Sequence, residues 1–334
     1  MSIFPGRMRR GLPLVLFLGA LAAAFWRAPY PVPPALAEPP AATPSSLPPH
    51  FSSETLPAGG SLPAMPSLSR LPDGRIAAAW SAGNLATDGE RAIWFSVLGQ
   101  DGWRAPVIIA SRESTAGATF AYVGRIGSPV LHAEGGWLHL WYASDAGRFG
   151  ASLNHSVSTN GGTNWTQAER LPTGMLASGS LQLGAAPLPL QDGGLALPIS
   201  RQFNTGDGEY LRLAPTGEII DQMRLAAPVL NLPSAVVPDE PRAMALLRLQ
   251  SGRLLLIGHP ENAPGALGTW LSADQGKTWQ ASRRLENPGD SAADFSDPAL
   301  QLGSGGLIHL VHGWRRQGIK HLSFSEAWLD GALP

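Results

Sequence analysis

Two aspartates, Asp294 and Asp297, bracket a Phe-Ser pair just ahead of Pro298, and a Trp-Arg-Arg run stands at Trp314, Arg315 and Arg316. A carboxylic acid can pass a proton to a leaving oxygen, and a planar guanidinium binds a carboxylate through two parallel hydrogen bonds. Tandem arginines after a tryptophan suit stacking on a flat ring combined with anion binding. Each of these residues also has a structural reading: Asp ahead of Pro caps turns, and Arg315-Arg316 suits the solvated end of a hairpin. Arg125, Arg201, Gln202 and His312 are further candidates for binding, whereas His139 and His309 alternate with apolar neighbours and read as packed. No cluster has the spacing of a metal site and no Gly-Lys phosphate loop occurs, so neither metal nor nucleotide cofactor is expected.

Composition limits what can position such groups. The 334 residues include 39 Gly and 31 Pro, which disfavours long helices and favours short strands joined by turns, so an all-β fold is expected. The 24 Lys+Arg are matched by 25 Asp+Glu without a long one-sign run, which excludes the basic face that nucleic acid demands. With no Cys, disulfides, thiolate chemistry and Cys-type zinc sites are excluded together. Arg7, Arg9 and Arg10 precede an uncharged apolar run over residues 11–26, the pattern of a secretory signal. That run would reach about 24 Å as a helix, short of the roughly 30 Å of a hydrocarbon core. Residues 1–37 are therefore expected to be a signal peptide, with an uncleaved N-terminal anchor as the alternative, and both place the body outside the cytoplasm. Nine prolines between Pro29 and Pro49 make residues 38–60 an expected extended linker.

From residue 61 to the end the chain repeats. Glycine turns at Gly74, Gly136, Gly193, Gly252 and Gly305 each precede a strongly apolar stretch, at spacings of 62, 57, 59 and 53 residues. A second signal keeps step with them. Residues 272–279 read Ser-Ala-Asp-Gln-Gly-Lys-Thr-Trp, residues 158–165 are a copy with Asn in place of Asp, and Gln100-Asp101-Gly102-Trp103 is a shorter third. The Asx side chain and Gly build a tight turn between third and fourth strands, with the Trp tucked back beneath the blade. Four-stranded units of this kind arranged radially make a β-propeller; a pair of β-sandwiches is the alternative.

The 272–279 motif resembles the Asp box of the sialidase superfamily. Residues 67–80 (SLSRLPDGRIAAAW) and 308–322 (IHLVHGWRRQGIKHL), together with the segments around Ile93, Trp103 and Leu211, are similar to bacterial sialidase-like BNR-repeat proteins. The resemblance implies six blades, against five glycine-anchored units counted, and structural rather than catalytic Asp boxes. It implies activity on terminal, acidic sugars of glycans, with arginines on the sugar carboxylate, a carboxylic acid as proton donor and a Tyr assisted by Glu as nucleophile. No cofactor is implied, and the expected partner is a glycan or oligosaccharide.

In such a blade the loops after second strands and before first strands share one face. Asp88, Glu90, Arg91, Arg125, Arg148, Arg201, Gln202, Glu261, Asp294, Asp297, His312, Arg315 and Arg316 fall there, and an arginine-lined funnel favours an anionic glycan. Asp297 or Asp294 is expected as the acid, with Arg125, Arg201, Gln202, His312, Trp314, Arg315 and Arg316 binding substrate. The chain departs from the family at Gln202, where a carboxylic acid is usual, and its body carries only Tyr122, Tyr142 and Tyr210. Gln cannot donate a catalytic proton at neutral pH. A propeller that lost catalysis and kept glycan binding, associated with surface polysaccharide, is therefore the alternative reading.

Overall fold

The computed structural model describes residues 17–20, 35–57, 59–83, 90–147, 150–171, 181–201, 209–224, 244–263, 265–287 and 295–331; the side chains of Ser200, Arg201 and Arg224 lie outside that description. Residues 17–20 are helical, and the rest of the expected signal or anchor lies outside the described residues up to 34. Among the described residues no helix is long and apolar enough to cross a membrane.

The first strand, β1 (Phe51–Thr55), is followed by five antiparallel sheets. Blade one holds β2 (Ala64–Arg70), β3 (Ile76–Ala82), β4 (Ala92–Gly99), β5 (Gly102–Trp103) and β6 (Val107–Ala110), the last two both pairing with β4. After a helix, α1 (Arg112–Thr119), blade two holds β7 (Arg125–Glu134), β8 (Trp137–Asp145), β9 (Ala151–Ser158) and β10 (Glu169–Leu171). Blade three holds β11 (Leu181–Leu183), β12 (Leu188–Pro189), β13 (Leu195–Arg201), β14 (Glu209–Leu213) and β15 (Ile219–Arg224). Blade four comprises β16 (Ala245–Arg248), β17 (Leu254–Gly258), β18 (Leu267–Ser272) and β19 (Gln280–Glu286). Blade five comprises β20 (Phe295–Leu302), β21 (Ile308–Trp314) and β22 (Gly318–Phe324), followed by α2 (Glu326–Leu329). The fold is thus a five-bladed β-propeller. The five glycine units are the better guide, and the sixth blade implied by the resemblance is not formed among the described residues. Each repeat glycine sits in the turn between first and second strands with φ between 69° and 88°, a left-handed conformation that glycine adopts without steric cost.

Blade five takes its outer strand from the other end of the chain. Within the stretch expected to be linker, β1 pairs antiparallel with β22 from Phe51↔Phe324 to Thr55↔Lys320, because β22 offers an open edge whose donors and acceptors need partners. Phe51 stacks on Trp328 of α2 at 4.6 Å, and Leu56 is buried beyond the strand. Upstream, residues 35–50 cross the lower ends of three blades. The Gln191 N–H donates to Ala35 O, the Thr43 N–H to Gln250 O, and Arg248 Nη1 to Pro40 O. The Ser325 hydroxyl then accepts from His50 N–H and donates to Pro48 O.

The two full Asp boxes form matching turns. Ser272 Oγ donates to Asp274 Oδ1 and accepts from Gly276 N–H, as Ser158 does with Asn160 and Gly162. Hydrogen bonds from Thr278, first its hydroxyl and then its N–H, hold the Asp274 carboxyl down at about 2. The motif tryptophans reach further than expected. Trp165 meets Phe95 of the preceding blade edge-on at 5.6 Å, and Trp103 donates its indole N–H to His321 across the closing seam. The turns bearing Trp165 and Trp103 therefore seal seams between blades, whereas Trp279 packs against Leu256 and Trp270 of its own blade.

At two seams the residue beneath the turn is a histidine pair. His139 Nδ1 lies 3.0 Å from His155 Nε2 under Gly217, and His309 Nδ1 lies 3.0 Å from His321 Nε2 beside Trp103. Burial pushes His139 and His155 down to about 4 and His309 to about 3. These groups stay neutral in the folded protein, whereas the unfolded chain protonates near pH 6.5. The unfolded state thus binds more protons below that value, and stability present above about pH 6.5 is lost as pH falls toward about 4, on the order of 3 kcal/mol per histidine taken alone. Blade one carries Ala77 and Phe95 at the registers where blade two carries His139 and His155. The double variant His139→Ala/His155→Phe is expected to fold and to lose less thermal stability between pH 7.5 and 5 than the parent. An unchanged acid loss would show that the pair is not its source.

Candidate functional site

Three inner strands carry the same irregularity at their upper ends. Register shifts interrupt β2 between Ala64 and Ser67, β7 between Gly127 and Val130, and β20 between Ser296 and Ala299. In each bulge one residue adopts a left-handed backbone just before a proline: Met65 (φ 54°), Ser128 (φ 50°) and Asp297 (φ 50°). A residue before proline is ordinarily extended, and a non-glycine residue in this region stores roughly 1–2 kcal/mol. Strain of this kind persists where the surroundings impose it, and it concentrates at functional sites.

The bulges bring Asp297 and Ser128 each against Met65. Met65 N–H lies 3.4 Å from Asp297 Oδ2, and Ser128 Oγ lies 3.2 Å from Met65 Sδ. A Cβ placed on Gly127 would stand 3.9 Å from Ser81 Oγ and 4.0 Å from Met65 Sδ, so the backbone there comes close to blade one. Ser81 Oγ in turn accepts from Arg91 Nε at 3.1 Å, while Arg91 Nη2 donates to Ser81 O and Leu62 O. A carboxylate, two separate hydroxyls, a thioether and a fixed guanidinium are thereby gathered at the upper ends of blades five, one and two. Met65, Ser81 and Ser128 are not among the residues that the sequence singles out. The signal that could have found the bulges is the X-Pro pair seven or eight residues before three of the repeat glycines: Pro66 before Gly74, Pro129 before Gly136 and Pro298 before Gly305.

The other expected residues divide. Arg125 lies on the same face and pairs with Asp145 through Nε and Nη2, both 2.9 Å from Oδ2. His312 is fully buried, with Nδ1 donating to Gly313 O and Nε2 3.4 Å from Glu286. It is turned into the seam between blades four and five and is not presented to a ligand, because it follows Leu310 on the packed face of β21. Lys320 closes on the same Glu286 at 2.5 Å; burial pushes that carboxyl up, but hydrogen bonds from His312 and Lys320 outweigh it and leave it below its ordinary value. Trp314 carries the Arg315 guanidinium at 5.5 Å and the Lys320 ammonium at 5.9 Å from its ring centre. Arg315 and Arg316 are exposed at the hairpin tip, both with left-handed backbone. The structure therefore joins His312 and Trp314 with Lys320 at one seam, leaves Arg315 over the Trp314 ring at the exposed tip, and sets Asp297 in another cluster, toward blade one. Arg201 ends β13 at the upper face with its side chain outside the description, and Asp294, Gln202, Asp88 and Arg148 lie outside the described residues.

Tyrosine geometry bears on the expected nucleophile. Tyr142 is fully buried, shares a 2.8 Å hydrogen bond with Thr115, and is pushed up to about 12 by burial. Tyr210 is buried against Met223, while its neighbour Glu209 accepts from Gln222 on β15. A separate groove of about 500 Å³ lies at the Asp box of blade four, where Arg253 is held by Asp330 at 2.6 Å and Glu326 at 3.0 Å. Its charges are engaged in joining blade four to α2. Among the described residues no group of three or more His, Asp or Glu is placed to hold a metal.

A family model described as a BNR repeat-like domain matches residues 74–248, just over half of the chain. The chain belongs to the BNR repeat-like family. No curated protein matches it significantly. Among solved structures, this BNR repeat protein is similar to the GH43_1 enzyme from Xanthomonas citri, with 13% identity, 84% of this chain and 94% of that one covered, and TM-score 0.55. It is similar to the intramolecular trans-sialidase from Ruminococcus gnavus, in complex with oseltamivir carboxylate, at 10% identity, 81% and 96% coverage and TM-score 0.52. The Hadza microbial sialidase Hz136 aligns at 12% identity over 80% of this chain and 66% of that one, with TM-score 0.51, so the chain spans just under two thirds of that sialidase. At these identities the likeness shows the fold: a sialidase-like propeller of the kind glycoside hydrolases use.

Proposed function

We propose that this BNR repeat protein is an exported glycoside hydrolase that removes terminal acidic sugars from glycans, with Asp297 as proton donor to the glycosidic oxygen. The observation that carries this reading is the convergence of Asp297 with Met65 and Ser128 through three bulged inner strands. Arg91, fixed by Ser81 and Leu62, supplies positive charge at the edge of that cluster. Arg315 and Arg316 add it further out on the same face, where a sugar carboxylate would be attracted, while the charge of Arg125 is offset by Asp145. Export rests on the basic and apolar N-terminal segment.

A second reading, a glycan-binding propeller without catalysis, is favoured by the burial of Tyr142 and Tyr210, which removes two of the three body tyrosines from the role of nucleophile. Incubation of the purified protein with a fluorogenic sialoside, alongside a glycan array, separates the two. Released fluorophore supports hydrolysis, and array binding without turnover supports the second reading. Neither turnover nor binding would overturn both.

A further inference from the structure

The connection between blades one and two ends in two exposed aromatic rings. Phe120 is 96% exposed and Tyr122 is 77% exposed. They follow α1, which is capped at Ser111 by reciprocal bonds with Ser114 and anchored below by the buried bond between Thr115 and Tyr142. Phe120 closes the helix in a left-handed conformation (φ 51°), its N–H donating to Ala116 O. A large ring in that backbone region, standing in water, is doubly unfavourable for the fold itself. Gly124 N–H then bonds Asp145 O, which fixes this loop beside the Arg125–Asp145 pair at the upper face. Arg125 stands three residues along β7 from Ser128, a distance of about 10 Å.

We infer that Phe120 and Tyr122 form a stacking platform for the sugar ring that follows the terminal residue of a bound glycan, with Arg125 and Asp145 offering hydrogen bonds at its edge. The inference rests on the glycan reading above. Two aromatic side chains present at most about 150–250 Å² each, well short of the roughly 800 Å² per partner in a standard protein interface, and enough for a sugar ring. The exposed residues of α1 itself are Glu113, Ser114 and Gly117, which present no large apolar side chain to extend the patch toward a protein partner.

The test compares the full chain with Phe120→Gly and Tyr122→Ala on an array of oligosaccharides and of their free terminal sugars. Both variants are expected to bind oligosaccharide about tenfold more weakly while keeping their affinity for the terminal monosaccharide, and Phe120→Trp is expected to restore binding. Glycine relieves the left-handed strain, so Phe120→Gly should unfold at or above the parent temperature, which separates lost stacking from lost folding. Oligosaccharide binding equal to the parent's in both variants would overturn the platform and leave the glycan reading standing. Absence of any glycan binding by the parent would overturn both. A change of oligomeric state in Phe120→Gly would also overturn the platform, by assigning the rings to contact between copies.

Discussion

Asp297→Asn is expected to lower the hydrolysis of a fluorogenic sialoside by about 10²- to 10⁴-fold, the contribution typical of a positioned general acid. The amide keeps the volume of the carboxyl group and an oxygen to accept from Met65 N–H, but cannot release a proton at neutral pH. Asn is also among the few side chains that tolerate a left-handed backbone, so the bulge in β20 should survive and thermal unfolding should be unchanged. Retained glycan affinity with lost turnover would place Asp297 in the chemical step. Undiminished turnover would remove it from that step and leave Asp294 as the remaining candidate acid.

Removal of residues 1–56 is expected to destabilise the propeller severely, whereas removal of residues 1–34 should leave it intact. The longer truncation deletes β1 with its five paired positions on β22, the stacking of Phe51 on Trp328, the buried Leu56, and the contact of Glu54 with His321 at 2.9 Å. Backbone hydrogen bonds contribute about 1 kcal/mol net each and a buried leucine about 1.5–3 kcal/mol, together a large part of a typical stability of about 5–15 kcal/mol. A drop of about 10 °C or more in the unfolding midpoint follows, or failure to accumulate as soluble protein. Identical melting of both truncated forms would show that blade five does not need its outer strand from the N-terminus.

The contrast between β1 and the repeat units shows what sequence could and could not convey. The glycine turns were legible because a left-handed turn admits few residues, and the Asp boxes because Ser, Asx, Gly and Thr each make a bond that others cannot replace. Phe51-Ser52-Ser53-Glu54-Thr55 carries no such mark. Its role depends on an open edge of β22, some 270 residues away in the chain, and backbone groups can pair with that edge whatever side chains they bear. The site was legible in part for a related reason. Asp297 could be named as a carboxylate on the upper face, but its union with Met65 and Ser128 requires three bulges to coincide around the axis. Conversely, His312 looked available because alternation along β21 does not reveal that one face of the strand is sealed by blade four through Glu286.

The most direct measurement is the crystal structure of Asp297→Asn soaked with 3′-sialyllactose. Sugar density at the upper ends of blades five, one and two, with the glycosidic oxygen beside the substituted amide at position 297 and the terminal ring against Ser128 and Arg91, is the expected result. Density confined to the groove beside Trp279 and Asp330, or an upper face that stays empty at saturating sugar, would contradict it.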